Sequence, residues 1–260
     1  MRNHLLIGLG GTGTGIVRAF RTLLQAAPEA ETQSDRQIEF LVVDADSDPV
    51  SAERFADEDR LAGPTRLRPN QTVQLSAQAL RSFIDAFPTQ PHWLDASAVN
   101  ALSQLFRGQD FHGGTLQSRG IGRLLFAANV NRYRDAVRRT VAALESTDTR
   151  GVTFHILAGL AGGTGSGCLI DAICQIRLLF PGRQYRIIVY ANLPERNPSR
   201  HVAGPNYKPN AYAALLELNA LSAGVLPLRD ISSPGAQAIA IKDPLDAVMF
   251  TPMNPKMAVS

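Results

Sequence analysis

Cysteine is nearly missing from these 260 residues: there are two, Cys168 and Cys174. Six positions apart in one helical pattern, they suit neither a local disulfide nor a zinc site. Both read as small buried apolar residues in a chain kept in a reducing, cytoplasmic setting. Long apolar runs are missing too. No stretch approaches the ~18 consecutive apolar residues of a membrane-spanning helix, so no membrane partner is expected. The chain passes from Met1 straight into a short apolar segment and a glycine-rich turn, without the features of a secretory signal. There is no strong charge of one sign. A formal net charge of +3 is too small to argue for a nucleic-acid partner. The local cluster Arg132, Arg134, Arg138 and Arg139 reads as a solvated helix face. His4, His92, His112, His155 and His201 show no metal-ligand spacing, so no protein-held metal cluster is expected. No Ser/His/Asp or Cys/His arrangement, internal repeat or low-complexity tract stands out.

What is present is an ordinary globular composition, with enough length to bury a core in one large domain or two small ones. Short apolar runs alternate with helical patterns. Residues 4–7 read as a strand, 8–15 as a turn and 16–26 as a helix, followed by a buried strand at 38–43. A polar stretch with Pro64 and Pro69 leads to helical patterns at 76–86 and 96–106. A glycine-rich loop at 108–122 precedes a long helix reaching about residue 145. Then come a strand at 152–158, a loop at 159–167, a helix to about 179 and a strand at 185–193. A helix at 210–221 and a strand at 246–251 close the series. Strands alternating with helices predict an α/β fold: a Rossmann-like, doubly wound, mainly parallel sheet flanked by helices. In such sheets ligands sit beyond the carboxyl ends of the strands.

Two glycine-rich segments fall at those ends. GLGGTGTG at 8–15 contains G-x-G-x-x-G as Gly8, Gly10 and Gly13. Glycines let the backbone approach an anion, and the following helix offers unpaired N–H groups. Alone, this pattern fits equally a dinucleotide-binding Rossmann unit, with Asp44 gripping a ribose, or a tight turn without ligand. The second segment, AGGTGSG at 161–167, places four glycines in seven residues between a buried strand and an apolar helix. Successive backbone amides there form an anion nest, and Thr164 and Ser166 add hydroxyl donors. A P-loop enzyme would show Gly-Lys-Ser/Thr, which this chain lacks. Two glycine nests at neighbouring strand ends suggest a polyphosphate gripped from two sides.

AGGTGSG is also identical at every position to the phosphate loop shared by tubulin and FtsZ, and the order of the surrounding segments agrees. The chain resembles the tubulin/FtsZ superfamily over about residues 4–255, and especially the divergent bacterial tubulin-like proteins, whose first loop has the GLGGTG form. The resemblance implies a GTP-binding module with GTP or GDP and Mg²⁺ as cofactors. It gives phosphate contacts to Gly10, Gly11, Thr12 and Gly13, and to Gly162, Gly163, Thr164, Gly165, Ser166 and Gly167. FLVVDADSDPV resembles the acidic loop near the magnesium, which points to Asp44 and Asp46. Gly122-Arg123 aligns with a Gly-Arg pair of FtsZ proteins, making Arg123 a ribose or phosphate contact; a surface ion pair is the alternative, and Arg119 is a weaker candidate. ANLPERNPS, at 191–199, occupies the place of the sugar-contacting loop. Asn210, which also reads as a helix N-cap, and Asn254 occupy the guanine-contacting positions.

The same resemblance implies one GTP-binding domain over residues 1–260, with a family-specific insertion at about 52–108. The family's acidic catalytic loop, roughly G-x-x-N-x-D-x-x-E, does not occur in the sequence. The expectation is therefore a piece of a longer protein that hydrolyses GTP poorly alone. Head-to-tail self-association is implied for the full-length form. Two other readings remain at this point: an NAD- or FAD-binding oxidoreductase, which leaves AGGTGSG without a purpose, and a non-catalytic tubulin-like scaffold.

Overall fold

In the computed structural model the structure describes residues 3–26, 37–45, 67–76, 78–80, 82, 117–146, 149–198, 204–232 and 237–252. Strand β1 (Asn3–Leu9) leads directly into helix α1 (Gly10–Ala26), and β2 (Ile38–Asp44) and the short β3 (Thr72–Gln74) follow. Helices α2 (Arg119–Ala128) and α3 (Val130–Glu145) precede β4 (Val152–Gly159), α4 (Thr164–Leu179) and β5 (Arg186–Leu193). Helix α5 (Tyr207–Ser222), β6 (Leu228–Asp230), β7 (Gln237–Ile239) and β8 (Ala247–Pro252) complete the order.

Six strands form one sheet in the order β3-β2-β1-β4-β5-β8, and every pairing in it is parallel. The chain winds outward from β1 through β2 to β3, then crosses back to β4 and winds outward the other way. The winding reverses between β1 and β4, where a doubly wound sheet opens its ligand crevice. The α/β, Rossmann-like fold expected from the sequence is the fold observed.

Side chains alternate across each strand and divide the core in two. Leu5, Ile7 and Leu9 of β1 join Ile156, Val189, Phe126, Tyr133 and Ile173 in the larger cluster, under α2 to α5. Leu6, Phe40, Val42 and Leu157 face the other way and pack with Val17 of α1. Helix α4 is buried nearly all round, which is why its pattern is apolar throughout. Cys168 and Cys174 lie on it, buried and unpaired with one another. Burial first, and then Asp171, pushes the Cys174 thiol up to about 12, so it behaves as the expected apolar filler.

Several boundaries differ from the sequence reading. Residues 10–15 belong to α1 instead of forming a loop. The long helix ending at Glu145 is broken at Asn129, whose Nδ2 donates to Leu125 O at 2.8 Å and whose Oδ1 accepts Ser76 N at 3.2 Å. A side chain competing for backbone groups in this way interrupts a helix. Asn206, not Asn210, is the N-cap of α5. Strands β3, β6 and β7 have three residues each, too few to show a period. The helical pattern at 96–106 lies outside the described residues, as does most of the insertion at 52–108.

One buried cation ties α4 to the segment entering the edge strand. Arg177 donates to Pro244 O at 3.0 Å, to Tyr185 O at 2.6 Å and to Asp246 Oδ2 at 2.8 Å. Asp246 also accepts Ile187 N at 2.7 Å, which fixes β8 beside β5. Asp246 is partly exposed, so removing its partner costs less than breaking a fully buried pair. Arg177→Ala should lower unfolding free energy by about 2–3 kcal/mol, measured by urea denaturation.

On the α1 face, His4, His155 and Tyr190 form a row across β1, β4 and β5. His4 Nδ1 and His155 Nε2 are 2.9 Å apart, and His155 Nδ1 lies 3.2 Å from the Tyr190 hydroxyl. Burial first, and then His4, lowers His155 from 6.5 to about 4. Between those values the unfolded chain carries a proton that the folded chain refuses. Its contribution is full above pH 6.5 and is lost as pH falls toward 4. The denaturation midpoint should drop across that window, and His155→Gln should flatten the drop. A parallel profile in the variant would assign the effect to other groups.

Candidate functional site

The two glycine segments meet at the switch point. Gly10 has φ +68° and turns β1 into α1, and a Cβ on it would lie 2.7 Å from Gly165 N. Two helix N-termini, with unpaired N–H groups and positive dipole ends, therefore converge beyond the carboxyl ends of β1 and β4. Such a convergence favours an anion.

The glycines divide into two kinds. A Cβ on Gly13 would sit 2.2 Å from Leu157 O, and one on Gly165 would sit 2.6 Å from Leu9 O. Where α2 crosses α4, a Cβ on Gly122 would meet Gly163 O at 2.3 Å and one on Gly167 would meet Arg119 O at 2.4 Å. These positions let backbones touch. Gly11 and Gly162 are different. Among the described residues, the nearest atom to a Cβ on Gly11 is Asp44 Oδ2 at 3.9 Å, and on Gly162 it is Gly159 O, also at 3.9 Å. No described residue crowds the space beside them.

Thr12 packs its side chain against Gly159, whose Cβ would fall 2.6 Å from Thr12 Oγ1. Asp44 ends β2 as a buried residue, with Oδ1 accepting Ala45 N at 2.7 Å. Thr164 begins α4 and is buried. Ser166 Oγ accepts from Arg119 Nε at 2.8 Å and donates to Asn210 O at 3.4 Å. The Nδ2 of Asn210 reaches Gln117 O at 2.7 Å, Ala161 O at 3.1 Å and Gly162 O at 3.4 Å. Asn210 is thereby placed against the second glycine segment. Arg123 is held along α4 by Asp171, Nε to Oδ2 at 2.7 Å and Nη2 to Oδ1 at 3.2 Å. Burial pushes the Asp171 carboxyl up, against the pull of Arg123. Asp46 and Asn254 lie outside the described residues.

Two further residues belong to this region. Gln117, at φ +57°, carries the carbonyl that Asn210 holds, and its Oε1 accepts Gly204 N at 3.1 Å. Asn192 is the next-to-last residue of β5, where Leu160 N bonds its carbonyl at 3.0 Å; its buried Oδ1 has no hydrogen-bond partner among the described residues. Asn192 lies within the ANLPERNPS segment, but only strand pairing shows that it ends beside Gly159.

A family model described as tubulin like matches residues 5–248. The chain belongs to this tubulin-like family. Among solved structures it is similar to the GDP-bound monomer of CetZ1 from Haloferax volcanii, at 18% identity and TM-score 0.46, covering 83% of this chain and 47% of that one. It is similar to a GTPγS-bound protofilament of CetZ2 from the same organism, at 15% and 0.48, covering 97% and 49%. It is also similar to an FtsZ from M. jannaschii, at 13% and 0.42, covering 83% and 42%. The tubulin-like chain thus spans less than half the length of each of these structures. No curated protein sequence matches it. No described helix is long and apolar enough to cross a membrane, and no group of three or more His, Cys, Asp or Glu among the described residues could hold a metal ion.

Proposed function

We propose that this tubulin-like chain binds a guanine nucleotide, GTP or GDP with Mg²⁺, at the junction of its two glycine segments. The observation carrying this reading is the bare backbone at Gly11 and Gly162, where no described atom comes nearer than 3.9 Å to an added Cβ, between two converging helix N-termini in a chain of this family. The segments Gly10–Gly13 and Gly162–Gly167 would surround the phosphates. The residues present fit that group, since bare amides and positive helix ends suit a polyphosphate. Asp44, beside Gly11, and Asp46 would lie near the phosphates and their Mg²⁺, a hard cation that neutralises phosphate charge when bound.

Asn210 and Asn254 are proposed for the guanine edge, since an amide offers both donor and acceptor. Asn210 also braces the loop through Ala161 O. Arg123 would serve as a nucleotide contact by leaving Asp171. Head-to-tail self-association and GTP turnover are proposed for the family's whole protein, in the cytoplasm. Chromatography of whatever nucleotide a denatured preparation releases tests the reading. GTP or GDP is expected; NAD or FAD would support a dinucleotide-binding protein instead.

A further inference from the structure

The second glycine segment is gripped from outside by side chains of α2 and α5. Arg119, the first residue of α2, donates from Nε to Ser166 Oγ at 2.8 Å and from Nη2 to Ser166 O at 3.2 Å. The same guanidinium reaches α5, where Nη1 donates to Glu217 Oε1 at 3.1 Å and Nη2 donates to Glu217 Oε2. These contacts occupy most of its N–H donors. Ser166 is fully buried, and its single hydroxyl proton goes to Asn210 O at 3.4 Å. Ser166 therefore has no proton left for a phosphate. Asn210 closes the circuit, with Nδ2 donating to Ala161 O in the glycine segment and to Gln117 O just before α2.

We infer that Arg119 is a positioning residue of the nucleotide site: without touching the ligand, it holds the first turn of α4, through Ser166, in the geometry that receives phosphate. The inference rests on the guanine-nucleotide reading above. It gives Arg119 and Ser166 a different role from the direct contacts that the family resemblance implies. Backbone amides that must converge on an anion bind it more tightly when side chains have already ordered them, because less freedom is lost on binding. An arginine suits this task because its planar fork serves Ser166 and Glu217 at once. A lysine at the same place keeps the charge but cannot hold both partners in fixed directions.

Two measurements on the whole chain test this: calorimetry with GTP and Mg²⁺, and amide hydrogen exchange without nucleotide. Arg119→Gln and Arg119→Lys should each weaken GTP by about tenfold or more. Ser166→Ala should do the same, and the double variant Arg119→Gln with Ser166→Ala should stay within about twofold of Arg119→Gln, since the two residues act in series. The Gly167 amide, which bonds Gly163 O at 2.9 Å, should exchange faster in Arg119→Gln and in Ser166→Ala, while the Ile156 amide in β4 keeps its rate. Parent-like affinity in a folded Arg119→Lys chain would show that charge alone suffices and would overturn the inference. Equal quickening at Gly167 and Ile156 would also overturn it, because the effect would then be general loosening of the fold. A parent chain that binds no GTP would defeat the guanine-nucleotide reading and this inference together. GTP binding that Arg119→Gln leaves unchanged would defeat the inference alone.

Discussion

Replacing Gly13 by alanine should destabilise the fold severely. Its added methyl would sit 2.2 Å from the carbonyl oxygen of Leu157, with Gly8 backbone atoms at 3.0 and 3.1 Å. These obstacles are backbone, so no side-chain rotation relieves them, and α1 must move off β1 and β4. Overpacking a core usually costs about 1–3 kcal/mol, and a clash against main chain at a helix–sheet contact should exceed about 4 kcal/mol. That is a large part of the ~5–15 kcal/mol that holds a domain folded. Gly11→Ala, two positions earlier, has no neighbour nearer than 3.9 Å among the described residues and lies on an exposed helical position. It should stabilise the chain by about 0.5–1 kcal/mol. Thermal unfolding followed by circular dichroism would compare them. A Gly13→Ala chain as stable as its parent would mean that α1 does not touch the sheet there.

The second large effect is on binding. Gly162→Val should fold normally, since no described atom lies nearer than 3.9 Å to its Cβ, yet weaken guanine nucleotide by more than about 100-fold, or ~3 kcal/mol. The branched side chain would stand where the phosphates are proposed to lie. Gly165→Val makes a poor test of the same idea. Its Cβ meets Leu9 O at 2.6 Å, so the variant should lose nucleotide because it loses its fold. Calorimetry paired with a melting curve separates the two cases. Parent-like affinity in a folded Gly162→Val chain would place the phosphates elsewhere.

That contrast shows where the sequence was informative and where it was not. AGGTGSG marks a strand-to-helix junction because only glycine permits the backbone contacts made there, and this holds whichever glycine meets a ligand. The division of labour was not legible. Gly11, Gly13, Gly162 and Gly165 look alike in sequence, and their neighbours come from β1, β2 and β4. The orientation of Arg123 depends on Asp171, 48 positions away, and no local pattern announces such a pairing. The six-stranded sheet was legible through its long apolar strands, β3 excepted. The hairpin of β6 and β7 was not, because its strands are short and its burial uneven.

The central claim is guanine-nucleotide binding, and it is tested most directly by titrating nucleotide-free chain with GTP, GDP and ATP in the presence of Mg²⁺. GTP and GDP should bind at one site per chain, with ATP weaker by about 100-fold or more. A site built to pair with the guanine edge leaves its amides unmatched against adenine. Equal affinity for GTP and ATP, or no heat with any of the three, would contradict the account.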